Sequence, residues 1–275
     1  MVGNLLLRGM AVGVVAGLLC FVFLKFVGEP QVDRAIAFET QMDEAKAKAK
    51  ADGSRPNTGP GTNIAGMSMP GMNIGSAEEE PELVSRPVQA GIGLFTGVMV
   101  YSAAFGGLFA LAFAFAYVRA GPGGARATSA LLAAAGLFAV YLVPNLKYPA
   151  NPPAVGDPDT IGMRTALSFI MIAISIAAML GATMLRDRLR YWLGAWDASL
   201  LAGAAYLVVI VVAWLALPAV NEVPEAFPAV VLWKFRIASI GAQLIMWMTI
   251  GLLFGALTER AMATSGQLRF KARAA

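Results

Sequence analysis

LLLRGMAVGVVAGLLCFVFLKFV, residues 5–27, is the first long apolar run of this protein. It carries two charged residues, Arg8 and Lys25, and both lie close to its ends. A helix of about 20 apolar residues is long enough to cross the hydrocarbon core of a bilayer. We therefore expect residues 1–27 to carry a first transmembrane helix. No small-residue cleavage motif follows the apolar run, which favours a retained helix over a cleaved signal peptide.

Five more apolar runs extend the same interpretation to most of the chain. The 275 residues are 58% hydrophobic and only 14% charged, whereas soluble domains have about 25% charged residues. The sequence therefore predicts an all-α integral membrane protein with about six transmembrane helices in three hairpins. Residues 91–260 would form a five-helix bundle, followed by a tail at 261–275. The five runs span 91–118, 127–143, 165–185, 198–217 and 237–258.

The arginines predict how these helices are oriented. They cluster near the chain termini and in the short links after the second and fourth helices, and basic residues are enriched in cytoplasmic loops. We therefore expect both termini in the cytoplasm and the three longer loops, 28–90, 144–164 and 218–236, on the outer side. The arginines in question are Arg8, Arg119, Arg126, Arg186, Arg188, Arg190, Arg260, Arg269 and Arg273.

The composition also argues against catalysis and against nucleic-acid binding. The chain has no histidine and a single cysteine, Cys20, so the commonest general base is missing and no internal disulfide can form. The net charge of +4 comes from basic residues at the ends of apolar runs, which is typical of membrane proteins. There is no Walker A motif for ATP. We expect a protein of the lipid bilayer that is not an enzyme and binds no nucleic acid.

The first outer loop, 28–90, divides into two parts. Residues 33–50 have helical propensity, with Asp33 as the predicted N-cap. Residues 51–81 are rich in Gly, Pro, Ser, Asn and acidic residues, and such a composition cannot bury a core. We therefore expect 51–81 to be mobile.

A methionine cluster lies within this predicted mobile segment. The motif GMSMPGMNIG holds Met67, Met69 and Met72. Thioethers are soft ligands that suit Cu(I) better than harder divalent ions. The cluster is therefore a candidate site for a transition metal, with copper favoured by the ligand type. The alternative is an ordinary linker in which the methionines are incidental.

The two later outer loops are rich in proline, which restricts the backbone and lowers the entropy lost on ordering. We expect 144–164 and 218–236 to pack together as a rigid cap over the end of the bundle. Two functions are open for this cap: an ion vestibule, or a cover that docks another protein. Its predicted polar residues are Asn145, Lys147, Tyr148, Asn151 and Asn221. Its carboxylates, which are ligands for divalent cations, are Asp157, Asp159, Glu222 and Glu225.

Small residues predict where helices approach each other closely. Gly9, Gly13 and Gly17 recur at four-residue spacing in the first helix, and Gly251 and Gly255 do so in the last. A stripe of glycines allows two helix backbones to come into contact within a membrane. We expect all five glycines to serve helix packing.

Six segments of the chain resemble the CbtA family of bacterial membrane proteins, which are described as predicted cobalt-transporter subunits. The resemblance covers nearly the whole chain apart from residues 40–80, and 143–162 is its most specific part. It implies a location in the bacterial cytoplasmic (inner) membrane, a part in cobalt uptake and a small one-helix partner with histidines of the CbtB kind. The segments are LLLRGM, GEPQVDRAIAFE, ELVSRPVQAGIGLFTG, YLVPNLKYPANPPAVGDPDTIG, NEVPEAFPA and LWKFRIAS.

Two functions from different classes therefore stand side by side. The first is the membrane subunit of a transition-metal uptake system that collects ions at its outer loops, with cobalt as the metal that the resemblance implies. The second is a structural or assembly subunit of a larger membrane complex, which glycine-faced helices and a rigid cap would also suit. Metal-dependent uptake in cells favours the first, and stable co-purification with a large complex favours the second.

Cysteines introduced at positions 61 and 188 test the predicted orientation. A membrane-impermeant thiol reagent applied to intact cells should label position 61 and leave position 188 unlabelled, because arginine-rich links are retained in the cytoplasm. Labelling at position 188 without labelling at position 61 would show that the orientation is the opposite of the predicted one.

Overall fold

The computed structural model of the protein describes residues 2–53, 84–119 and 124–274, and every regular element in these ranges is helical. This confirms the predicted all-α fold. Three π-helical segments, Leu24–Gly28, Gln89–Gly93 and Leu137–Leu142, and a 3₁₀ turn at Pro158–Thr160 lie between the α-helices. The α-helices are α1 (Val2–Phe23), α2 (Glu29–Gly53), α3 (Arg86–Val88), α4 (Leu94–Arg119), α5 (Gly124–Gly136), α6 (Val143–Lys147), α7 (Ile161–Ala216) and α8 (Ala229–Ala274).

The π-helical segments join neighbouring helices without interrupting them, so that α1 continues into α2, α3 into α4 and α5 into α6. The described ranges contain five helical stretches that are long and apolar enough to cross a membrane. This confirms a protein with several helices able to span a bilayer, while the count of six crossings stays a prediction. The five stretches are Gly3–Ala49, Arg86–Arg119, Gly124–Lys147, Ile161–Ala216 and Ala229–Thr264.

The long helix α7 reverses its direction at Gly194. This glycine has φ 80° and ψ 171°, a left-handed conformation that breaks the helix and that residues with a Cβ rarely adopt. The Ser175 hydroxyl oxygen lies 2.8 Å from the Tyr206 hydroxyl oxygen, whereas 31 residues of straight helix would separate the two residues by about 46 Å. The predicted runs 165–185 and 198–217 are therefore two antiparallel limbs of α7.

Glycines lie at the closest helix contacts. A Cβ on Gly9 would meet the carbonyl oxygen of Gly106, and a Cβ on Gly13 would meet the carbonyl oxygen of Ser102, so α1 and α4 touch along their backbones. Gly17 continues the same stripe, against the side chains of Met99 and Ser102. The predicted glycine stripe of the first helix thus contacts another helix of the same chain.

The last helix uses glycines in the same way. A Cβ on Gly251 would meet the side chain of Ala133, and a Cβ on Gly255 would lie 2.9 Å from the Cβ of Ser129. The Ser129 hydroxyl donates to the Gly251 carbonyl oxygen at 2.6 Å. A hydrogen bond that returns to the backbone of the neighbouring helix holds α5 and α8 together where the small residues let them approach.

Aromatic side chains fill the space between α1, α4, α5 and α8. Phe113 and Phe254 are fully buried, and their ring centroids lie 5.1 Å apart in an edge-to-face arrangement. Phe105 and Trp247 make a second such pair at 4.9 Å. Edge-to-face rings add to the free energy of burial, so this cluster fixes how the four helices pack.

The two ends of the bundle differ in their chemistry. At one end, which we call the arginine end, Arg126 forms an ion pair with Glu259 at 3.3 Å and Arg8 donates to the Thr258 hydroxyl at 3.3 Å. Arg119 and Arg188 line one surface pocket there. At the opposite end, residues 148–157 and 217–228 connect helices through irregular backbone. We call this the loop end.

Two predicted boundaries differ from the structure. Asp33 does not begin a separate helix, because α1 runs through the π-helical segment into α2 and places Asp33 in the interior of α2. The prediction of Asp33 as an N-cap is therefore wrong. The tail predicted at 261–275 continues α8 as helix to Ala274. In both places the polar sequence after an apolar run extends a helix that has already formed, which avoids the cost of a new helix nucleus.

Replacing Gly13 by alanine tests the glycine contact between α1 and α4. The new methyl group would meet the Ser102 carbonyl oxygen, and overpacking of this kind lowers the free energy of unfolding by about 1–3 kcal/mol. Gly97→Ala in α4 is the matched control, because no atom lies within 4 Å of its added Cβ. Thermal unfolding of the detergent-solubilised protein should show a lower midpoint for Gly13→Ala only. An equal shift for both variants would contradict the contact.

Candidate functional site at the loop end of the bundle

The two irregular segments of the loop end lie against each other. The Tyr148 hydroxyl donates to the Pro218 carbonyl oxygen at 2.8 Å. Lys147 donates from Nζ to the Trp214 carbonyl oxygen at 2.7 Å, which ties the end of α6 to the end of α7. Residues 148–157 and 217–228 therefore form one unit, which we call the cap.

An apolar cluster joins the cap to α2. Val155 and Phe227 are buried and belong to the two cap segments, and Ala35 of α2 is fully buried beside them. The ring centroids of Phe38 and Phe227 lie 5.1 Å apart, edge to face. The extension of the first helix beyond the apolar run thus forms a third side of the cap, which no pattern in the sequence had indicated.

Glu222 connects the two cap segments. Its Oε2 accepts from the backbone N–H of Asp157 at 2.8 Å, and its Oε1 accepts from the Thr160 hydroxyl at 2.7 Å. The Arg164 guanidinium lies 3.3 Å from Oε2 as an ion pair. Hydrogen bonds from Thr160 and from the Asp157 backbone, together with the charge of Arg164, hold the pKa of Glu222 below its usual range. Glu222 is therefore held in its ionised form.

The backbone opposite Glu222 takes an unusual path. Gly156 has φ +120°, and a Cβ there would collide with the Arg164 guanidinium. Ala154 has φ +67°, which is left-handed for a residue with a side chain and costs about 1–2 kcal/mol. Directly after this stretch, the Asp157 carbonyl oxygen accepts from Nη2 of Arg164 at 3.2 Å.

Arg236 of α8 holds the other half of the cap. Its Nη2 donates to Asn151 Oδ1 at 3.0 Å, and its Nε donates to the Ala150 carbonyl oxygen at 3.3 Å. The Asn145 side chain accepts from the backbone N–H of Ala150 at 3.2 Å. Arg164 of α7 and Arg236 of α8 therefore both hold the proline-rich cap segment, 148–157, by hydrogen bonds.

A pocket of about 600 Å³ opens between the cap and the helix ends. Its lining combines basic side chains, one acid, amides and hydroxyls. The polar lining residues are Lys147, Tyr148, Asn151, Arg164, Thr165, Ser168, Asn221, Glu222 and Arg236.

A smaller pocket of about 250 Å³ lies between the first π-helical segment, α2, α4 and α8. Glu29, Ser239 and Gln243 line it. Glu29 is paired with Arg86 at 2.6 Å, and the Ser239 hydroxyl lies 2.8 Å from the Tyr141 hydroxyl. The two polar residues of α8 thus face a cavity as well as making contacts between helices. Irregular helix of the π type is frequent at functional sites.

The structure treats the predicted metal ligands differently. The Glu222 carboxylate accepts from the backbone N–H of Asp157. The Asp157 carboxylate in turn accepts from the backbone N–H of Asp159 at 2.9 Å. Asp159 and Glu225 are exposed. In the ranges that the structure describes, no three or more His, Cys, Asp or Glu side chains are grouped closely enough to hold a metal ion. The methionine cluster, Met67, Met69 and Met72, lies outside the described residues.

Several residues of the site are absent from the predicted set. Arg164 and Arg236 are the main ones, although a signal exists, because each directly precedes the apolar run that follows a proline-rich loop. The ion pair of Arg86 with Glu29 is another, and no pattern in the sequence links residues 57 positions apart.

The pH dependence of stability tests the role of Glu222. Because its pKa is lowered in the folded protein, its contribution is fully present above the ordinary carboxyl pKa of about 4.3 and is lost as the pH falls through the folded value. Between pH 6 and pH 3, the thermal midpoint of Glu222→Gln should therefore fall less than that of the unmodified protein. Glu225→Gln, an exposed neighbour, should keep the original slope. Identical slopes for all three proteins would contradict this role.

Comparison with known proteins gives one match. No curated protein and no solved structure is similar to this chain. A family model described as "Probable cobalt transporter subunit (CbtA)" matches residues 2–259. Three of the six segments that carry the resemblance, 141–162, 221–229 and 232–239, contribute residues to the larger pocket at the loop end. The chain therefore belongs to the CbtA family of probable cobalt transporter subunits.

Proposed function

We propose that this chain is the membrane subunit of a transition-metal uptake system with cobalt as its cargo, and that its loop end collects the ion outside the bacterial cytoplasmic membrane. Membership of the family supports a part in metal transport. The basic residues of the arginine end support the orientation, since such residues are retained in the cytoplasm. Both termini would then be cytoplasmic.

The observation that carries the proposal is the contact between two acidic segments over the end of the bundle. Glu222 accepts from the Asp157 backbone at 2.8 Å, which places these two acidic residues side by side where the cap segments meet, at what we call the rim. Carboxylate oxygens are ligands for divalent cations. Carboxylates gathered at one rim also raise the local concentration of cations and the rate at which they arrive.

These carboxylates differ in their contacts and would therefore act at different stages of ion collection. Asp159 and Glu225 are exposed and would meet the hydrated ion first. Glu222 is engaged with Thr160 and Arg164. A divalent cation would have to displace the Arg164 guanidinium to reach it, and that exchange would release the ion pair that ties one cap segment to α7. Collection would therefore loosen the cap.

Polar groups beneath the cap supply the next step of the proposed route. Glu29, Ser239 and Gln243 line the smaller pocket, which reaches into the bundle beside a π-helical segment. Ionisable and polar residues at membrane depth mark ion pathways in transport proteins. We propose that the ion passes along this side of α8.

Two further elements complete the proposed system. Met67, Met69 and Met72 would bind a transition-metal ion weakly, Cu(I) better than Co(II), before it reaches the cap. The chain has no histidine, so nitrogen ligands would come from a partner, which we propose is a small membrane protein of the CbtB kind.

An assembly subunit of a larger membrane complex is the second candidate. One observation favours it: Glu222 is already satisfied by the Asp157 backbone, Thr160 and Arg164. A cap held so firmly suits a rigid docking surface.

Cobalt uptake by cells that carry charge-neutral variants tests the collection of ions. Asp159→Asn with Glu225→Gln removes two exposed charges and leaves the contacts of Glu222 intact, so uptake should fall while folding is kept. Adding Asp157→Asn and Glu222→Gln should bring the loss to about tenfold or more, because the attraction of cations to the rim is lost.

Asp43→Asn with Glu44→Gln is the matched control, since both carboxylates are exposed on α2 and pair with lysines of the same helix. Unchanged uptake in the fourfold variant would refute collection by the cap. Loss of a co-purifying complex with uptake unaffected would favour the assembly subunit.

A further inference from the structure

We propose that the larger pocket of the loop end binds a small multivalent oxyanion, such as a polycarboxylate or phosphate, through Lys147 and Arg236. No carboxylate is needed from the protein for this, and none of the proposed metal ligands takes part.

The charged side chains that line the pocket carry a net positive charge. Lys147, Arg164 and Arg236 line it, and Glu222 is its only acidic lining residue among the described residues. Glu222 is the ion-pair partner of Arg164 at 3.3 Å. Two positive charges are therefore left, and their described hydrogen-bond partners are neutral oxygens. An anion in the pocket would supply the missing countercharge.

The side chains of Lys147 and Arg236 are held in place, but each has more N–H donors than these hydrogen bonds use. Lys147 uses one of its three N–H donors on the Trp214 carbonyl oxygen. Arg236 uses Nε and one N–H of Nη2 on the cap, out of five donors. A guanidinium fixed in this way offers the planar pair of donors that binds carboxylate or phosphate oxygens with two parallel hydrogen bonds.

The rest of the pocket suits a small polar molecule. Its volume of about 600 Å³ lies within the range of small-molecule sites, about 300–1,000 Å³. Asn221, Thr165 and Ser168 line it beside the two cations. The Ser168 hydroxyl already donates to the Arg164 carbonyl oxygen at 2.9 Å. The Asn221 amide and the Thr165 hydroxyl would therefore orient a ligand that the two cations attract.

This inference stands without the proposed transport function. Where that function also holds, the same charges oppose entry of a bare divalent cation into the pocket and favour an ion that arrives with an anionic chelator. The carboxylates of the rim and the cations of the pocket would then act on different parts of one complex.

Titration of the full chain in phosphatidylcholine nanodiscs with citrate, and separately with inorganic phosphate, tests the site by calorimetry. At least one anion should bind saturably. Arg236→Gln and Lys147→Gln should each weaken that binding by about tenfold or more, the usual effect of losing a charge-assisted hydrogen bond. Lys25→Gln is the control, because Lys25 lies near the same end but does not line the pocket, and it should leave the affinity unchanged.

Repeating the titration in phosphatidylglycerol nanodiscs separates the two sources of such an anion. A weaker apparent affinity for the anion that binds, restored in phosphatidylcholine, assigns the site to a lipid headgroup, and an equal affinity assigns it to a soluble anion. Absence of saturable binding by both anions at millimolar concentration would overturn the proposal. So would equal weakening by Lys25→Gln and Arg236→Gln. If Arg236→Gln does not fold, Lys147→Gln carries the same comparison. Because no metal is added, the result is independent of the uptake assay.

Discussion

Lipid tails offer no hydrogen-bond partner to a backbone N–H or C=O, so a segment inside the hydrocarbon must satisfy its backbone within the protein. The long helices meet this condition, and the π-helical segments keep it because they change the hydrogen-bond register without ending the helix. Irregular backbone is thus left to the helix ends, where 148–157 and 217–228 lie side by side. Residues from distant parts of the sequence, such as Arg164 and Glu222, meet at the loop end for this reason.

Much of the fold could be predicted from the sequence, because the length of an apolar run is set by the thickness of the bilayer. The ends of the helices could not. An apolar run ends where the hydrocarbon ends, but a helix continues wherever the next residues tolerate it, as residues 29–53 do. A reversal between the runs 165–185 and 198–217 was expected, but its position at Gly194 was not, because glycine in an apolar sequence is compatible with helix packing and with a break. The contact of Ser175 with Tyr206 shows that the chain turns back between them.

The candidate site was predictable in its position and less so in its chemistry. Prolines and loop length pointed to a rigid cap, and Tyr148, Asn151 and Glu222 all make contacts there. The partners of each charge depend on tertiary structure. From the sequence alone, Glu222 is a candidate metal ligand, but in the structure it forms an ion pair with Arg164. The positive balance of the pocket arises from Lys147 and Arg236, which a count of acidic residues in the loops leaves out.

Helix α1 continues into α2 without interruption, so that one helix runs from the bundle to the cap. Gly13 sits against α4 within the bundle, and Phe38 sits in the apolar cluster of the cap. The 25 residues between them span about 38 Å of helix. For a stiff helix, a tilt of about 5° around Gly13 displaces Phe38 by about 3 Å. In a stiff helix, movement at the cap would therefore accompany rotation at the glycine contact with α4.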